Sequence, residues 1–269
     1  MLESAVRIVR FRSLLATLTA RELKARYRGS VLGFLWSLIN PLLLLGVYSV
    51  VFGFILTPGR GAGIRTDPYA VFLVTGLFPW IWLSTSLLEG AGSLIANAGL
   101  IRKAAFPAEL LPLVSVAANL VHFLLALPIV AAALVVGRLT GHPVAGWGTL
   151  ALPGIVLLQL PLIAGLALGL AALTAHFKDV RDILTNLLTL LFFATPIIYP
   201  LDIIPAEWLR LGIRANPLAP YTLAYQESLF FGRAPGPELW LQMAVVSALA
   251  WVAGTWLFGR LRETVVEAV

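Results

Sequence analysis

Between Arg28 and Arg60 the chain carries no charged side chain, while the segment just before it holds Arg21, Lys24, Arg26 and Arg28. The junction reads Arg-Glu-Leu-Lys-Ala-Arg-Tyr-Arg-Gly-Ser-Val-Leu-Gly-Phe-Leu-Trp-Ser-Leu-Ile-Asn-Pro, from Arg21 to Pro41. Bilayer hydrocarbon rejects the cations and accepts the uncharged run, which is long enough for one crossing with some tilt. The basic side is therefore expected at the cytoplasmic face. The alternative, a long buried helix of a soluble protein with a cationic foot, does not explain the further apolar runs that follow.

Composition narrows the class further. The chain of 269 residues is 59% hydrophobic and only 12% charged, with a mean hydropathy of +0.92, as expected of a polytopic membrane protein. Its formal charge of +6 sits at the ends of apolar runs and forms no surface stripe. Anionic lipid headgroups are thus the expected partner and nucleic acid is not. With no cysteine there is no disulfide, thiolate zinc site or cysteine nucleophile. Arg7, Arg10 and Arg12 interrupt the region where the apolar core of a cleavable signal peptide would sit.

Residues from about Val6 to Arg28 fit one amphipathic helix, with Ile8, Phe11, Leu15 and Leu18 on one face and Arg7, Arg10, Arg21, Lys24 and Arg28 on its neighbour. Such a helix lies in the interface plane as an orientation anchor, and its cationic face is also free to meet a cytoplasmic partner. Six apolar runs follow, at about Leu32 to Leu56, Pro68 to Leu88, Leu110 to Val136, Leu150 to Ala175, Ile183 to Ile198 and Leu239 to Phe258. An even number of crossings puts both termini on one side. With the amino terminus inside, Arg102, Lys103, Lys178, Arg181, Arg260 and Arg262 join the amino-terminal cations in the cytoplasm. Only Arg60, Arg65, Arg138, Arg210, Arg214 and Arg233 face outward, which satisfies the positive-inside bias.

The fifth run is short, about 24 Å of helix against a hydrocarbon core of about 30 Å. It ends in Thr195-Pro196-Ile197-Ile198-Tyr199-Pro200, and the external stretch beyond alternates breakers (Pro205, Pro217, Pro220, Gly232) with apolar clusters such as Trp208-Leu209. This pattern predicts short re-entrant helices dipping into the outer leaflet, their free backbone groups satisfied by neighbouring protein.

Several chemistries are excluded. His122, His142 and His176 lie on three segments with no metal-ligand spacing, and His122 is expected to hydrogen-bond between helices. A Walker-type phosphate loop needs Gly-Lys, but Lys24, Lys103 and Lys178 follow Leu23, Arg102 and Phe177. The chain is thus expected to bind no cofactor and to be no ATPase. No Asp or Glu falls deep within a predicted span, which argues against an ion-coupled carrier. Energy is expected from another polypeptide. Between the second and third spans, Asn97 to Pro107 forms a short amphipathic segment suited to receive it. Leu100, Ile101 and Phe106 would fill a partner's groove, Arg102 and Lys103 would meet its acidic rim, and Pro107 would stop the helix. Read without a partner, the same residues make a plain interfacial connector.

End to end the sequence resembles the permease subunits of type 2 ABC transporters, in the group that exports O-antigen, capsule and teichoic acid. Arg21 to Pro41, Asn97 to Pro107 ending in Phe-Pro, Phe177 to Asp182 with its Arg-Asp, and Thr195 to Tyr199 with Asn216-Pro217 carry the resemblance. Lys178-Asp179 precedes Arg181-Asp182, so either acid is available for the family's role. The resemblance implies a homodimer docked on two separate ATPase subunits that use ATP and Mg, with Asn97 to Pro107 as the coupling helix. It implies export of lipid-linked polysaccharide across the bacterial inner membrane, an exporter of drugs or lipids being the nearest alternative and a secondary carrier a more distant one. For a saccharide polymer, Tyr48, Phe52, Trp80, Trp82, Tyr199 and Tyr221 offer ring faces along a channel, although aromatics near span ends also form interfacial belts. The small residues Gly165, Ala167, Gly169, Ala171 and Ala172 of the fourth span are expected to permit close helix contact at a dimer seam.

The expected architecture is thus an all-α membrane protein. An interface helix over 1–30 precedes a six-helix transmembrane domain over 31–259, with its coupling helix at about 96–108 and its external re-entrant segment at about 199–235. A cytoplasmic tail over 260–269 follows.

Overall fold

A computed structural model of the protein describes residues 10–55, 68–103 and 106–268, and every regular element among them is helical. In chain order the α-helices are Arg12–Arg26 (α1), Trp36–Tyr48 (α2), Tyr69–Ala96 (α3), Ala98–Lys103 (α4), Leu110–Leu139 (α5), Leu152–His176 (α6), Asp179–Ala194 (α7), Glu207–Arg214 (α8), Ala219–Tyr225 (α9) and Pro237–Ala268 (α10). Arg7 and Ile8, Arg60 and Arg65, and the side chains of Arg102 and Lys103 lie outside what is described.

Among the described residues, 4 helices are long and apolar enough to cross a bilayer: α3, α5, Trp147–His176 and the Pro237–Arg262 part of α10. They correspond to the second, third, fourth and sixth runs of the sequence. The first run gives the 13-residue α2, interrupted by Pro41 and continued by a π-helical stretch, Ser49–Ile55. The fifth gives α7, with 16 residues and with Asp179 and Asp182 in its first turn, where the helix dipole favours acids. α10 continues without a break through the stretch expected to be a separate tail.

α3 is the hub because the other helices enclose it, its contacts running to α2, α5, α6 and α7. Phe72, Leu73, Val74, Ala91 and Leu94 are all fully buried on it. α5 and α10 instead bury one side and expose Leu124, Val135 and Val136, or Leu241, Leu249 and Trp256, on the other. Apolar faces of that extent outside as well as inside fit an apolar surrounding.

The small residues of the fourth span have a different use from the one expected. A Cβ on Gly165 would collide with the backbone of Ala250 and Trp251, and one on Gly254 with the backbone of Gly165. Ala167, Ala171 and Ala172 are fully buried in the same chain. Gly165 and Gly169 bring α6 close to α10 within one chain, while Ala167 packs against Gly90 of α3, so these small residues are already occupied inside a single copy. Periodicity shows that a close contact exists but does not identify the partner.

The apolar stretch after α7 folds back onto the bundle. Ala219, Ala224 and Tyr225 are fully buried against α3, α6 and α10. The irregular backbone around it finds side-chain partners, as a buried connection requires. Tyr69 Oη donates to Ile198 O (2.8 Å), Gln226 Nε2 to Pro196 O (2.7 Å) and Ser228 Oγ to Gly148 O (2.6 Å). At the opposite end, α1 rests on α5 through Leu18 and Thr19.

Candidate coupling and transport surfaces

A charged cluster joins α1, α3 and α5. Arg26 Nη2 contacts Glu89 Oε2 at 2.6 Å, and Asn119 Nδ2 donates to the same oxygen at 2.6 Å. Arg26 Nη1 reaches Asn119 Oδ1 at 3.2 Å and His122 Nδ1 at 3.3 Å. Because a guanidinium can only donate, Nδ1 accepts and Nε2 carries the ring proton toward Tyr27 Oη, 3.1 Å away. His122 thus bonds between elements, as its place in an apolar run suggested. Glu89 was missed. The second run was ended at Leu88, the last residue before the charge, whereas α3 continues to Ala96 and carries Glu89 inside the helix. The second run is thus longer than expected and takes in Glu89 toward its C-terminal end, which does not overturn the expectation that no acid lies deep within a span. The available signal was the pair Asn119 and His122, three residues apart on one face of an apolar helix and in need of polar partners.

Beyond α3 the chain turns through Asn97, whose side chain donates to Ser93 O (2.9 Å) and whose carbonyl accepts from Leu100 N (2.9 Å) to start α4. The helix is brief, and Pro107 stands just beyond it. Ile101 does not face outward. It is 5% exposed and packs with Leu94, Ala108 and Leu111, so it belongs to the chain's own core and is removed from the docking set. A helix of one and a half turns has one inward face, and Ile101 occupies it. Leu100 and Phe106 are half-buried at the edge of that cluster, and Gly99 is exposed.

The aromatic residues divide into groups. Tyr48 and Phe52 lie 6.1 Å apart by ring centroid, Tyr48 stacks on Phe192 of α7 at 5.6 Å, and Trp80 approaches the same ring at 5.9 Å. Phe192, which sequence reasoning did not select, is the shared contact. Trp82 is about 200° around the helix from Trp80 and faces the other way, 2% exposed and stacked on Phe123 at 5.0 Å. Tyr221 is 3% exposed, and its hydroxyl donates to Met243 O at 2.9 Å beside Ser247. Trp80, Trp82 and Tyr221 are therefore all core residues in this conformation, and only Tyr48, Phe52 and Tyr199 of the set stand at the edge of that core. Tyr199 donates to Phe193 O at 2.8 Å, near the end of α7.

Of the interfacial cations, Arg10, Arg21, Lys24 and Arg28 are exposed, whereas Arg26 is drawn in by Glu89. Exposed apolar side chains also line one face of α7 (Ile183, Leu187, Leu190, Phe193) and α2 (Leu42, Leu43, Val47).

Comparison with known proteins bears on the whole of this arrangement. The O-antigen export system permease protein RfbA of Myxococcus xanthus is 39% identical over 270 residues, covering 98% of this chain and 100% of that protein. The RfbA protein of Klebsiella pneumoniae is 32% identical over 254 residues, 94% of each chain. The polysialic acid transport protein KpsM of Escherichia coli is 26% identical over 192 residues, 70% of each. Residues 13–230, from α1 through the buried segment after α9, match the model of the ABC-2 type transporter family, and the chain belongs to that family of membrane proteins.

Proposed function

We propose that this chain is the permease subunit of an ATP-driven exporter that carries lipid-linked polysaccharide of the O-antigen or capsule type across the bacterial inner membrane. The observation that carries the reading is the end-to-end similarity to permeases named for O-antigen export. Spans with few charges and an aromatic group around Phe192 suit a sugar polymer, whose hydroxyls and ring faces need hydrogen-bonding and stacking partners.

In this account α2, extended by its π-helical stretch, and α7 complete six crossings. α8 and α9 are the re-entrant pair outside, and both termini are cytoplasmic. Two copies pair through the exposed apolar faces of α2 and α7, which replace the α6 stripe as the seam. Each copy docks one separate ATPase subunit, which binds ATP and Mg. Asn97, Leu100, Phe106 and Pro107 shape the docking surface, with Arg102 and Lys103 at its rim. ATP-driven closure of the two ATPases would push α4, and the push would pass through Asn97 into α3 and through the Glu89 cluster into α1. α1 itself lies in the headgroup region with Arg7, Arg10, Arg21, Lys24 and Arg28 toward anionic lipid.

Purification of tagged chain from native membranes tests the assembly. The expected result is an ATPase chain in equal stoichiometry and a complex containing two permeases. Recovery of an active transporter that contains one permease, or no second polypeptide, would refute it.

A further inference from the structure

A push received at α4 enters α3 beside Asn97 and has about 27 Å of helix to travel before it meets Pro79, which lies inside that helix. Proline lacks the N–H of a ladder bond and its ring crowds the preceding turn, so this is where a long helix bends. At that point Gln159, the one polar side chain between residues 152 and 173 of α6, crosses over. Its Nε2 donates to Pro79 O at 3.2 Å, and its Oε1 accepts from Tyr225 Oη of α9 at 2.8 Å. A carbonyl can only accept, so the amide nitrogen must face Pro79 and the amide oxygen the phenol. Gln159 is 2% exposed and Tyr225 is fully buried, which shields both bonds from water and strengthens them. The outer segment beyond Tyr225 is keyed to the same end of α6. Leu229 O accepts from Ala145 N at 3.1 Å, and Gly232 O from Gly148 N at 3.2 Å. A Cβ on Gly146 would stand 2.3 Å from Gly232 O, so these backbones interlock and leave no sliding joint.

We propose that Gln159 is a positioning residue for export, bracing α3 at Pro79 and pinning the outer segment to it, so that α3, α6 and residues 219–233 move as one body. The proposal rests on the export reading and deepens it by naming the residue that carries the stroke past the proline. Without the brace, a push at α4 would be taken up by bending α3 at Pro79 and would not reach the outer face. With it, α9 follows α3, because energetic coupling between distant sites travels through contiguous hydrogen bonds and rigid elements. The stretch over 219–233 is then no flap hinged on its own bundle. It is displaced with the bundle as a whole, and an outer opening forms at the boundary of the copy instead of inside it.

The test uses the permease–ATPase complex in lipid nanodiscs, read by ATP hydrolysis and by amide hydrogen exchange, which follows local opening. Surface polysaccharide is measured beside it in a deletion strain carrying each variant. Gln159→Leu removes both bonds at similar volume, and Tyr225→Phe removes one. Each should speed exchange over residues 219–233 roughly three- to tenfold, the range of one net hydrogen bond. Each should also lower surface polysaccharide per permease in the membrane while the ATPase still hydrolyses ATP. A merely structural loss would lower the permease level, or hydrolysis together with export, so the split between hydrolysis and export is the decisive observation. If Gln159→Leu does not fold, Tyr225→Phe decides alone. In the wild-type complex, exchange over 219–233 should be the same with ADP as with ATP held on an inactive ATPase. Full export by the folded variants, hydrolysis falling in step with export, or exchange over 219–233 that changes with the nucleotide would each overturn the brace. Complementation by the wild-type chain separates the two readings. If it restores surface polysaccharide while the variants give a negative result, only the brace fails. If it restores none, the export reading itself has failed.

Discussion

Glu89→Gln removes the charge that Arg26 faces while keeping the shape of the side chain. Side-chain exposures of 23% for Arg26 and 37% for Glu89 place the pair between two limits. A solvent-exposed pair is worth about 0–1 kcal/mol, and breaking a fully buried one costs about 3–5 kcal/mol. Glu89 Oε2 also accepts from Asn119, so the substitution weakens two charge-assisted bonds at once and leaves a cation among apolar helices. A loss of about 2 kcal/mol follows, which lowers Tm by about 4–8 °C for a chain of this size. The double variant Arg26→Gln/Glu89→Gln removes both charges and should recover at least about 1 kcal/mol relative to the sum of the single variants. The assay is thermal unfolding of the purified complex in nanodiscs, paired with limited proteolysis after Arg26. The single variant should expose the α1–α2 junction to cleavage. If the effects add within about 0.5 kcal/mol, or the junction stays protected, the cluster does not clasp α1 and the reasoning is refuted.

Gly165→Leu should abolish monodisperse protein, because its side chain has only the backbone of α10 to enter, whereas Gly169→Ala meets Gly254 Cα at an ordinary 3.5 Å and should be tolerated. Size-exclusion profiles distinguish the two. Ile101→Ala should cost about 2–5 kcal/mol of stability as a core truncation, while Phe106→Ala should spare insertion and weaken ATPase docking by about 1–3 kcal/mol. Titration of the ATPase onto permease nanodiscs reads the second effect. Tyr48→Ala, at a residue on the edge of the core, should reduce export at near-normal protein levels, but Trp80→Ala and Tyr221→Ala, in the core, should lower the protein level itself, which parallel measurements of surface polysaccharide and membrane protein would separate. Charge reversal at Arg10 and Arg21 should release α1 from anionic vesicles without affecting the long spans, as read by vesicle flotation of the isolated segment fused to a soluble carrier.

Hydrophobic run length made the four long helices legible, because a bilayer needs about 20 apolar residues and little else satisfies that demand. The cationic foot at Arg21 to Arg28 located the end of α1 for the same reason. Run length could not show which helix is the hub. α3 and α5 read alike as apolar spans, and only packing encloses one and leaves the other half-exposed. Nor could spacing assign partners. Gly165 signalled a close contact but not that α10 supplies it, and Trp80 and Trp82 looked equivalent until the helical turn separated them. Glu89 escaped because a charge was taken to end a span, although a paired charge can lie within one. The coupling residues were legible as a segment, but with only six residues in α4, the inward face of Ile101 depended on how the helix sat against Leu94 and Leu111.

The account's central claim is tested most directly by following polymer in a strain lacking this chain. The account predicts that lipid-linked polysaccharide accumulates on the cytoplasmic side and disappears from the cell surface. Both effects should be reversed by the wild-type chain, but not when its partner ATPase is catalytically inactive. Surface polysaccharide at the parental level in the deletion strain, or its restoration with the inactive ATPase, would contradict it.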